Sequence, residues 1–332
     1  MKSYSCNIDF FMSVTSKQKQ RNSTFDVIKC TAAFLVICIH YAPRFNVFDA
    51  YFNAICRIAV PLFYIISGYY FETILFSKKH NSYLKKIITL TSTATVLYLA
   101  FCSILHCIDG DLIVWVTNCF SKKNLCKWIL LNECPIVCHL WYLYALIYTI
   151  ILNILLSKLK ISKYLPYIAL SLLLLHCILN FKYSGIYLRN WLFLASPFFI
   201  LGRHLYQNSE KIVSLKASKI IIVLSLIVSV IFLYFEMTIL PYRDFYFFII
   251  PIVLLISVAA IRHPFICLNS LGTHIGRFHS TNIYIYHILV GRLICRFIDV
   301  QHIFVQYNLP IIIFLVTLLF SVVFRVLKYN FV

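Results

Sequence analysis

An aspartate, a lysine and a histidine occur within one long apolar stretch near the start of the chain. Residues 26–40 read Asp-Val-Ile-Lys-Cys-Thr-Ala-Ala-Phe-Leu-Val-Ile-Cys-Ile-His, which places Asp26, Lys29 and His40 in a segment able to enter a bilayer. Ionisable groups at membrane depth are costly, so a functional role is their default interpretation. On a helix, Lys29 and His40 share one face and lie about 16 Å apart along the axis. We therefore predict that this face of the helix lines a polar cavity. The alternative is a lysine reaching the headgroups and a histidine bonding a neighbouring helix.

Two later apolar stretches begin with an arginine and contain helix-breaking residues. Arg57 opens a run that contains a proline and the Ser67-Gly68 pair, and Arg189 opens a run that contains a proline and Gly202. These residues predict interrupted helices, which survive in a membrane only where protein or a water-filled cavity covers the freed backbone groups. Arg57 is a candidate substrate or oxyanion contact, or alternatively an interfacial anchor.

Two further stretches carry a histidine among aromatic residues. His139 is followed by Trp141 and Tyr142, and His287 ends the sequence Asn-Ile-Tyr-Ile-Tyr-His. Aromatic side chains at the start of a span are typical of membrane interfaces, so anchoring competes with substrate contact as the explanation. For His287 the alternative is a histidine that packs between helices.

The composition predicts a polytopic membrane protein with an all-α fold. The 332 residues are 61% hydrophobic and 12% charged, whereas soluble domains have about 25% charged residues. About ten apolar runs approach the length of about 20 residues that spans a bilayer. They cover about 25–43, 56–76, 87–107, 138–157, 164–181, 189–206, 218–236, 245–261, 280–298 and 308–327.

The net charge of +19 does not indicate nucleic-acid binding, because the basic residues lie in short loops between the apolar runs. Assigning the loops to alternate sides puts nineteen Lys and Arg residues on one side and eight on the other. By the positive-inside rule, we expect a multi-pass protein of the cell (inner) membrane with both termini in the cytosol. We expect residues 1–20 to be a flexible cytosolic tail and residues 21–330 to form a single transmembrane domain.

The cysteines do not form a metal-binding pattern. No C-x-x-C pair occurs, and most cysteines lie inside apolar runs, so no metal site is predicted. Cys119, Cys126, Cys134 and Cys138 lie near one hydrophilic loop. They can pair if that loop faces an oxidising compartment, or they can be buried thiols.

Together these stretches resemble the acyltransferase 3 family of integral-membrane O-acyltransferases, which modify glycans and related molecules. The resemblance extends from residue 21 to about residue 290, with the matches in the family's order. The first span has a basic residue, ten intervening residues and a histidine, here Lys29 and His40. The other matching segments are Val60-Pro-Leu-Phe-Tyr-Ile-Ile-Ser-Gly68, His139-Leu-Trp-Tyr-Leu-Tyr144, Ser196-Pro-Phe-Phe-Ile-Leu-Gly202 after Arg189-Asn190, and Ile283-Tyr-Ile-Tyr-His287.

The resemblance implies a donor and an acceptor. The donor is acyl-CoA, acetyl-CoA foremost, used as a co-substrate from the cytosol, and the acceptor is a hydroxyl of a cell-surface glycan or lipid-linked sugar. His40 is expected to be the general base, with Asp26 and Lys29 as catalytic partners. Asp26 is expected to pair with Lys29 and keep it charged, and the oxyanion donor is expected to be Arg57, Tyr142 or Lys29. The residues expected to contact substrate are Arg57, Ser67, His139, Trp141, Tyr142, Arg189 and His287. His287 is expected either to orient the acceptor or to bind the region of His40.

The chain departs from the family at the start of the third span, where many members have an Arg-x-x-Arg pair. Here Lys85 and Lys86 occur instead, and they are expected to contact the CoA phosphates as point charges. The alternative for these two lysines is a solvated basic loop.

A transporter or flippase for a polar lipid or glycan is the rival function, since it also uses intramembrane charges and broken helices. The absence of paired halves argues against it. A non-catalytic membrane sensor is a third possibility.

Overall fold

The chain is entirely helical in the part that the structure describes. The computed structural model describes residues 21–42, 49–159, 161–183, 185–216, 218–240, 243–298 and 302–330, so the tail expected at residues 1–20 lies outside it. The α-helices in chain order are α1 (Ser23–His40), α2 (Asp49–Cys56), α3 (Ala59–Phe76), α4 (His80–Asp109), α5 (Leu112–Cys119), α6 (Lys122–Leu131), α7 (Trp141–Ser157), α8 (Leu165–Leu179), α9 (Ser196–Gln207), α10 (Ser209–Ser214), α11 (Lys219–Ile239), α12 (Ile249–Arg262), α13 (Leu271–Phe278), α14 (Ser280–Phe297) and α15 (Ile303–Asn330).

Six helical segments in the described residues are long and apolar enough to cross a membrane. They are Ser23–His40, Tyr51–Phe76, His80–Asp109, Cys138–Ser157, Lys219–Ile239 and Phe304–Leu327, and the apolar helices α8 and α12 are shorter. The all-α membrane architecture is therefore confirmed, whereas the number of ten spans stays a prediction.

The helices α3 and α9 cross with their backbones in contact, and two glycines allow it. A Cβ atom at Gly68 would overlap the Phe199 carbonyl, and one at Gly202 would overlap the Ile65 carbonyl. Close helix approach at small residues is a common solution in membranes, where van der Waals packing drives association. Each glycine, which sequence patterning treats as a break, lies inside a continuous helix.

The expected interruptions of these two helices are therefore wrong. Pro61 is the third residue of α3 and Pro197 the second residue of α9. The first amides of a helix have no intrahelical acceptor, so a proline there removes no hydrogen bond. The break near α9 comes earlier, in a π-helical turn at Trp191–Ala195 that Asn190 caps by accepting from the Leu192 and Phe193 amides at 2.9 and 3.1 Å.

Four polar side chains link α3, α7 and α9 through contacts inside the protein. We call them the Glu72 cluster, which consists of Glu72, Asn153, Arg203 and Gln207. Arg203 donates to Glu72 at 2.7 Å and to Asn153 at 2.9 Å, and Gln207 donates to Glu72 at 2.8 Å. Glu72 and Arg203 are 6% and 5% exposed. Arg203 is one of the nineteen basic residues assigned to the more basic side of the membrane, but it lies inside α9 and its charge is neutralised within the protein.

The start of α1 is held by its cap and by the end of α12. Asn22 accepts from the Phe25 amide at 3.0 Å and donates to the Ala260 carbonyl at 2.8 Å. Helix α13 packs so closely on α1 that a Cβ atom at Gly276 would overlap the Asp26 carbonyl. These contacts fix one end of α1, here called the Arg21 end, while its last residue marks the opposite, His40 end of the bundle.

Candidate functional site

Three histidines from distant parts of the sequence meet at the His40 end. The ring centroids of His40 and His287 are 5.3 Å apart, those of His139 and His287 5.1 Å, and those of His40 and His139 6.5 Å. His139 lies on a 3₁₀ turn (Cys138–Leu140) just before α7, and His287 lies inside α14. His139 and His287 are buried, whereas His40 is exposed although many protein atoms surround it. His40 is thus the member of the cluster that a substrate can reach.

Backbone carbonyls of α14 fix the orientation of the two buried rings. His287 bonds the Tyr284 carbonyl at 2.7 Å through Nδ1, and His139 bonds the Ile285 carbonyl at 3.2 Å through Nε2. A carbonyl only accepts, so each of these ring nitrogens carries a hydrogen. The remaining nitrogens, His287 Nε2 and His139 Nδ1, are buried and have no hydrogen-bond partner among the described residues.

Aromatic side chains fill the interior next to the histidines. Tyr284 donates to the His139 carbonyl, and its ring centroid lies 5.0 Å from that of Tyr142. Tyr142 hydrogen-bonds Ser67, and its ring packs at a tilt against that of Tyr64 with a centroid separation of 4.7 Å. Ser67 and Tyr142, both expected to contact substrate, therefore lie in the bundle interior, next to the cluster rather than within it.

Arg189 and Trp141 form a separate polar and aromatic surface near His40. The Arg189 guanidinium lies over the Trp141 ring at 5.6 Å from its centroid, close enough to His40 for the two charges to interact. The Nε atom of Arg189 is buried without a partner in the described part of the chain. A guanidinium beside an indole suits contact with a sugar ring or an anionic oxygen.

Arg57, by contrast, is engaged in a clamp between loops. It donates to the backbone carbonyl and side chain of Asp244 at 2.9 and 3.1 Å, and to Asn53 at 3.2 Å. Asp244 also accepts from the Gly185 amide. Burial raises the pKa of Asp244, but the Gly185 amide and the charges of Arg189 and Arg57 outweigh it and hold that pKa below its usual range.

Asp26 and Lys29 form a second polar centre, at the other end of α1. Lys29 Nζ lies 2.6 Å from Asp26 Oδ1, and Arg21 donates to both carboxylate oxygens at 2.7 and 2.8 Å. The ion pair expected between Asp26 and Lys29 is present, and Arg21 is an additional partner. The structure does not bring Lys29 to His40, because about 16 Å of helix separates them. Lys29 was expected to be able to stabilise an oxyanion beside His40, but it lies too far from His40 to do so.

A cavity of about 830 Å³ opens at the Arg21 end. Arg21, Asn22, Tyr69, Tyr70, Tyr206 and Ser209 are among its lining residues. The carboxylate of Glu210 also lines it, so the cavity combines one cation and one anion with aromatic and hydroxyl groups. Lys85 and Lys86 are exposed on α4 and are not among the lining residues of this cavity.

Two kinds of site are not found in the described residues. No group of three His, Cys, Asp or Glu side chains there is arranged to hold a metal ion. Cys119, Cys126, Cys134 and Cys138 are free thiols, and Cys119 donates to the Pro135 carbonyl at 3.2 Å.

Sequence reasoning missed three contributors to these centres. Tyr284 lies within the Ile-Tyr-x-x-His segment that drew attention to His287, so its position was visible although its contact was not. Arg21, the first residue of the expected transmembrane domain, was assigned no role in a site. Asp244 had no sequence signal, because it becomes a partner of Arg57 only through long-range folding.

Comparison with known proteins adds the family. The acyltransferase 3 family model, described as an acyltransferase domain, matches residues 22–329. No curated protein and no solved structure matches the chain. The family's members are acyltransferases, and the match covers nearly the whole chain, including all three histidines of the cluster. The chain therefore belongs to the acyltransferase 3 family and is a membrane acyltransferase.

Proposed function

We propose that the protein transfers an acyl group, acetyl foremost, from acyl-CoA to a hydroxyl of a cell-surface glycan or lipid-linked sugar. The observation that carries the proposal is the exposed His40 ring, held against two buried histidines at one end of the bundle. The family supplies the reaction class. A hydroxyl is a weak nucleophile, and imidazole is the side chain suited to remove its proton near neutral pH.

The transfer is a direct displacement at the thioester carbonyl. His40 takes the proton as the acceptor oxygen bonds the carbonyl carbon, the carbon–sulfur bond breaks, and the CoA thiolate takes the proton back from His40. Arg189 and Trp141 contact the acceptor, because their guanidinium and indole lie together near His40. Arg57 acts indirectly by holding the Asp244 loop.

The donor binds from the Arg21 end. Arg21 on the cavity wall offers a cation to CoA phosphates, and the aromatic lining suits the adenine ring. Lys29 and Asp26 hold Arg21 in place through their shared ion pairs. Lys85 and Lys86 add charge outside the cavity that attracts the donor.

This arrangement requires the Arg21 end and both termini to face the cytosol, in the cell membrane. Reporters fused at the C-terminus test that topology. A reporter that is active only on the non-cytosolic side of the membrane should be inactive at the C-terminus, and its activity there would contradict this topology.

The decisive experiment follows labelled acetyl groups from [¹⁴C]acetyl-CoA into the glycan fraction of membranes that contain the protein. His40→Ala and His40→Gln should both lower the rate about 10² to 10⁴-fold, the usual range for general acid–base catalysis. His204 is an exposed histidine outside the cluster, so His204→Gln is the matched control and should stay near the wild-type rate. Near-normal transfer by well-inserted His40→Gln would show that His40 is not the base.

A further inference from the structure

The ring nitrogen His287 Nε2 is buried without a hydrogen-bond partner among the described residues, and this requires a physical explanation. Buried polar atoms nearly always have a hydrogen-bond partner, because an unmet one costs free energy. An unpartnered ring nitrogen is not by itself a site. His176 Nε2 is also buried without a partner in the described chain, and its Nδ1 bonds the Phe193 carbonyl at 3.2 Å, away from the cluster. What distinguishes His287 is its position beside His40.

The tautomer of His287 makes Nε2 an acceptor. Because Nδ1 donates to the Tyr284 carbonyl at 2.7 Å, the neutral ring must carry its lone pair on Nε2. The neighbouring residue Ile285 fixes His139 in the same way, and His139 lies farther from His40. A centroid separation of 5.3 Å leaves room for a hydrogen bond between one nitrogen of each ring if the exposed His40 ring rotates.

We propose that His287 Nε2 accepts a hydrogen bond from one ring nitrogen of His40 and so fixes the tautomer in which the other nitrogen faces the acceptor hydroxyl. This inference rests on the proposed function for its consequence, because His40 is the base there. His287 is a positioning residue and touches no substrate. Orientation of a base through its second nitrogen is the general design of activated histidines.

A neutral acceptor suits the charges around His40. Within the described part of the chain, the charged and titratable groups that face it are Arg189, His139 and His287, and none of these is a carboxylate. His287 therefore orients His40 without adding a counter-charge that would hold the proton on His40 and delay its return to the CoA thiolate.

Two substitutions separate positioning from packing. In His287→Gln the amide oxygen can still accept near the position of Nε2, whereas His287→Leu keeps much of the volume and accepts nothing. His287→Leu should lower kcat about tenfold, the effect that one ordinary hydrogen bond supports, with little change in KM. His287→Gln should retain most of the wild-type kcat. The matched controls His176→Gln and His176→Leu should leave kcat unchanged.

A second measurement needs no acyl transfer. Diethylpyrocarbonate modifies the unprotonated ring nitrogen of histidine, and mass spectrometry of the His40 peptide gives its rate at pH 7. His287→Leu should slow this rate about two- to fourfold, because one ordinary hydrogen bond shifts the ratio of the two tautomers about tenfold, and His287→Gln should restore it.

The two readouts distinguish the failures. An unchanged His40 modification rate in His287→Leu, or equal kcat losses in the Gln and Leu variants, would overturn the positioning role. Modification rates that follow the expected order in a protein that transfers no acetyl group would support the positioning role and refute the proposed function instead.

Discussion

Replacing Arg203 by methionine should destabilise the bundle strongly, because the Glu72 cluster neutralises a charge inside the protein. Methionine keeps most of the side-chain volume. It leaves the Glu72 carboxylate, 6% exposed, with only the Gln207 amide as a hydrogen-bond partner among the residues that the structure describes. It also removes the 2.9 Å donor to Asn153. Breaking a buried ion pair on one side costs about 3 to 5 kcal/mol, so we expect a loss of that size in the free energy of unfolding.

The coupling between the two charges tests the reasoning more sharply than the single change. Glu72→Gln in the Arg203→Met background removes the unpaired charge, so the double variant should lose clearly less free energy than the sum of the two single losses. The assay is unfolding of the purified protein in detergent, followed by exposure of buried cysteines to a fluorescent thiol reagent.

A surface ion pair provides the matched control for these variants. Arg296 bonds both carboxylate oxygens of Asp109 at 2.7 and 3.2 Å but is exposed, and exposed pairs contribute little to stability. Arg296→Met should therefore leave unfolding nearly unchanged. Single losses of less than about 1 kcal/mol at Arg203 and Glu72, adding without coupling, would refute an essential buried pair.

Three other changes have defined outcomes. Gly202→Ala should lower Tm, because its methyl group overlaps the Ile65 carbonyl and overpacking costs about 1 to 3 kcal/mol. Gly272→Ala is the control, because a methyl group has room there, and it should leave Tm unchanged. Equal Tm values for the two variants would contradict the close contact of α3 with α9. Replacing both Lys85 and Lys86 by alanine should raise KM for acetyl-CoA most at low salt, with kcat unchanged, and a salt-independent KM equal to wild type would leave them as a solvated loop. The folded-state pKa of Asp244 is lowered, so its stabilisation is fully present above the ordinary carboxyl pKa of about 3.9 and is lost as pH falls through the folded value. The stability difference between wild type and Asp244→Asn, measured by Tm, should therefore stay constant from about pH 5 to 8 and shrink below about pH 4.

Sequence patterning predicted the helices well because apolar length and residue spacing are local properties. The run that contains Asp26 and His40 is one helix, and the chain has no strand in its described residues. The ion pair of Asp26 with Lys29 was also predictable, since residues three apart on a helix are neighbours.

What the sequence could not supply was the partner of each polar group across the fold. His139 and His287 were separate candidates, and only the packing of α14 against the start of α7 brings their rings to 5.1 Å. Gly68 and Gly202 were misread as breaks for the same reason. A glycine that weakens an isolated helix and a glycine that admits a second helix have the same local signature, and only the crossing distinguishes them.

The length of α1 sets the distance that the donor has to span in the proposed arrangement. Its charged end and its histidine end are separated by about 16 Å, a length fixed by the number of residues between Lys29 and His40. In the proposed arrangement a donor anchored at Arg21 must carry its reactive carbonyl on an arm of at least that length. Acetyl phosphate or a truncated thioester can occupy either end of the helix but cannot bridge them. Donor selection therefore depends on reach as well as on affinity.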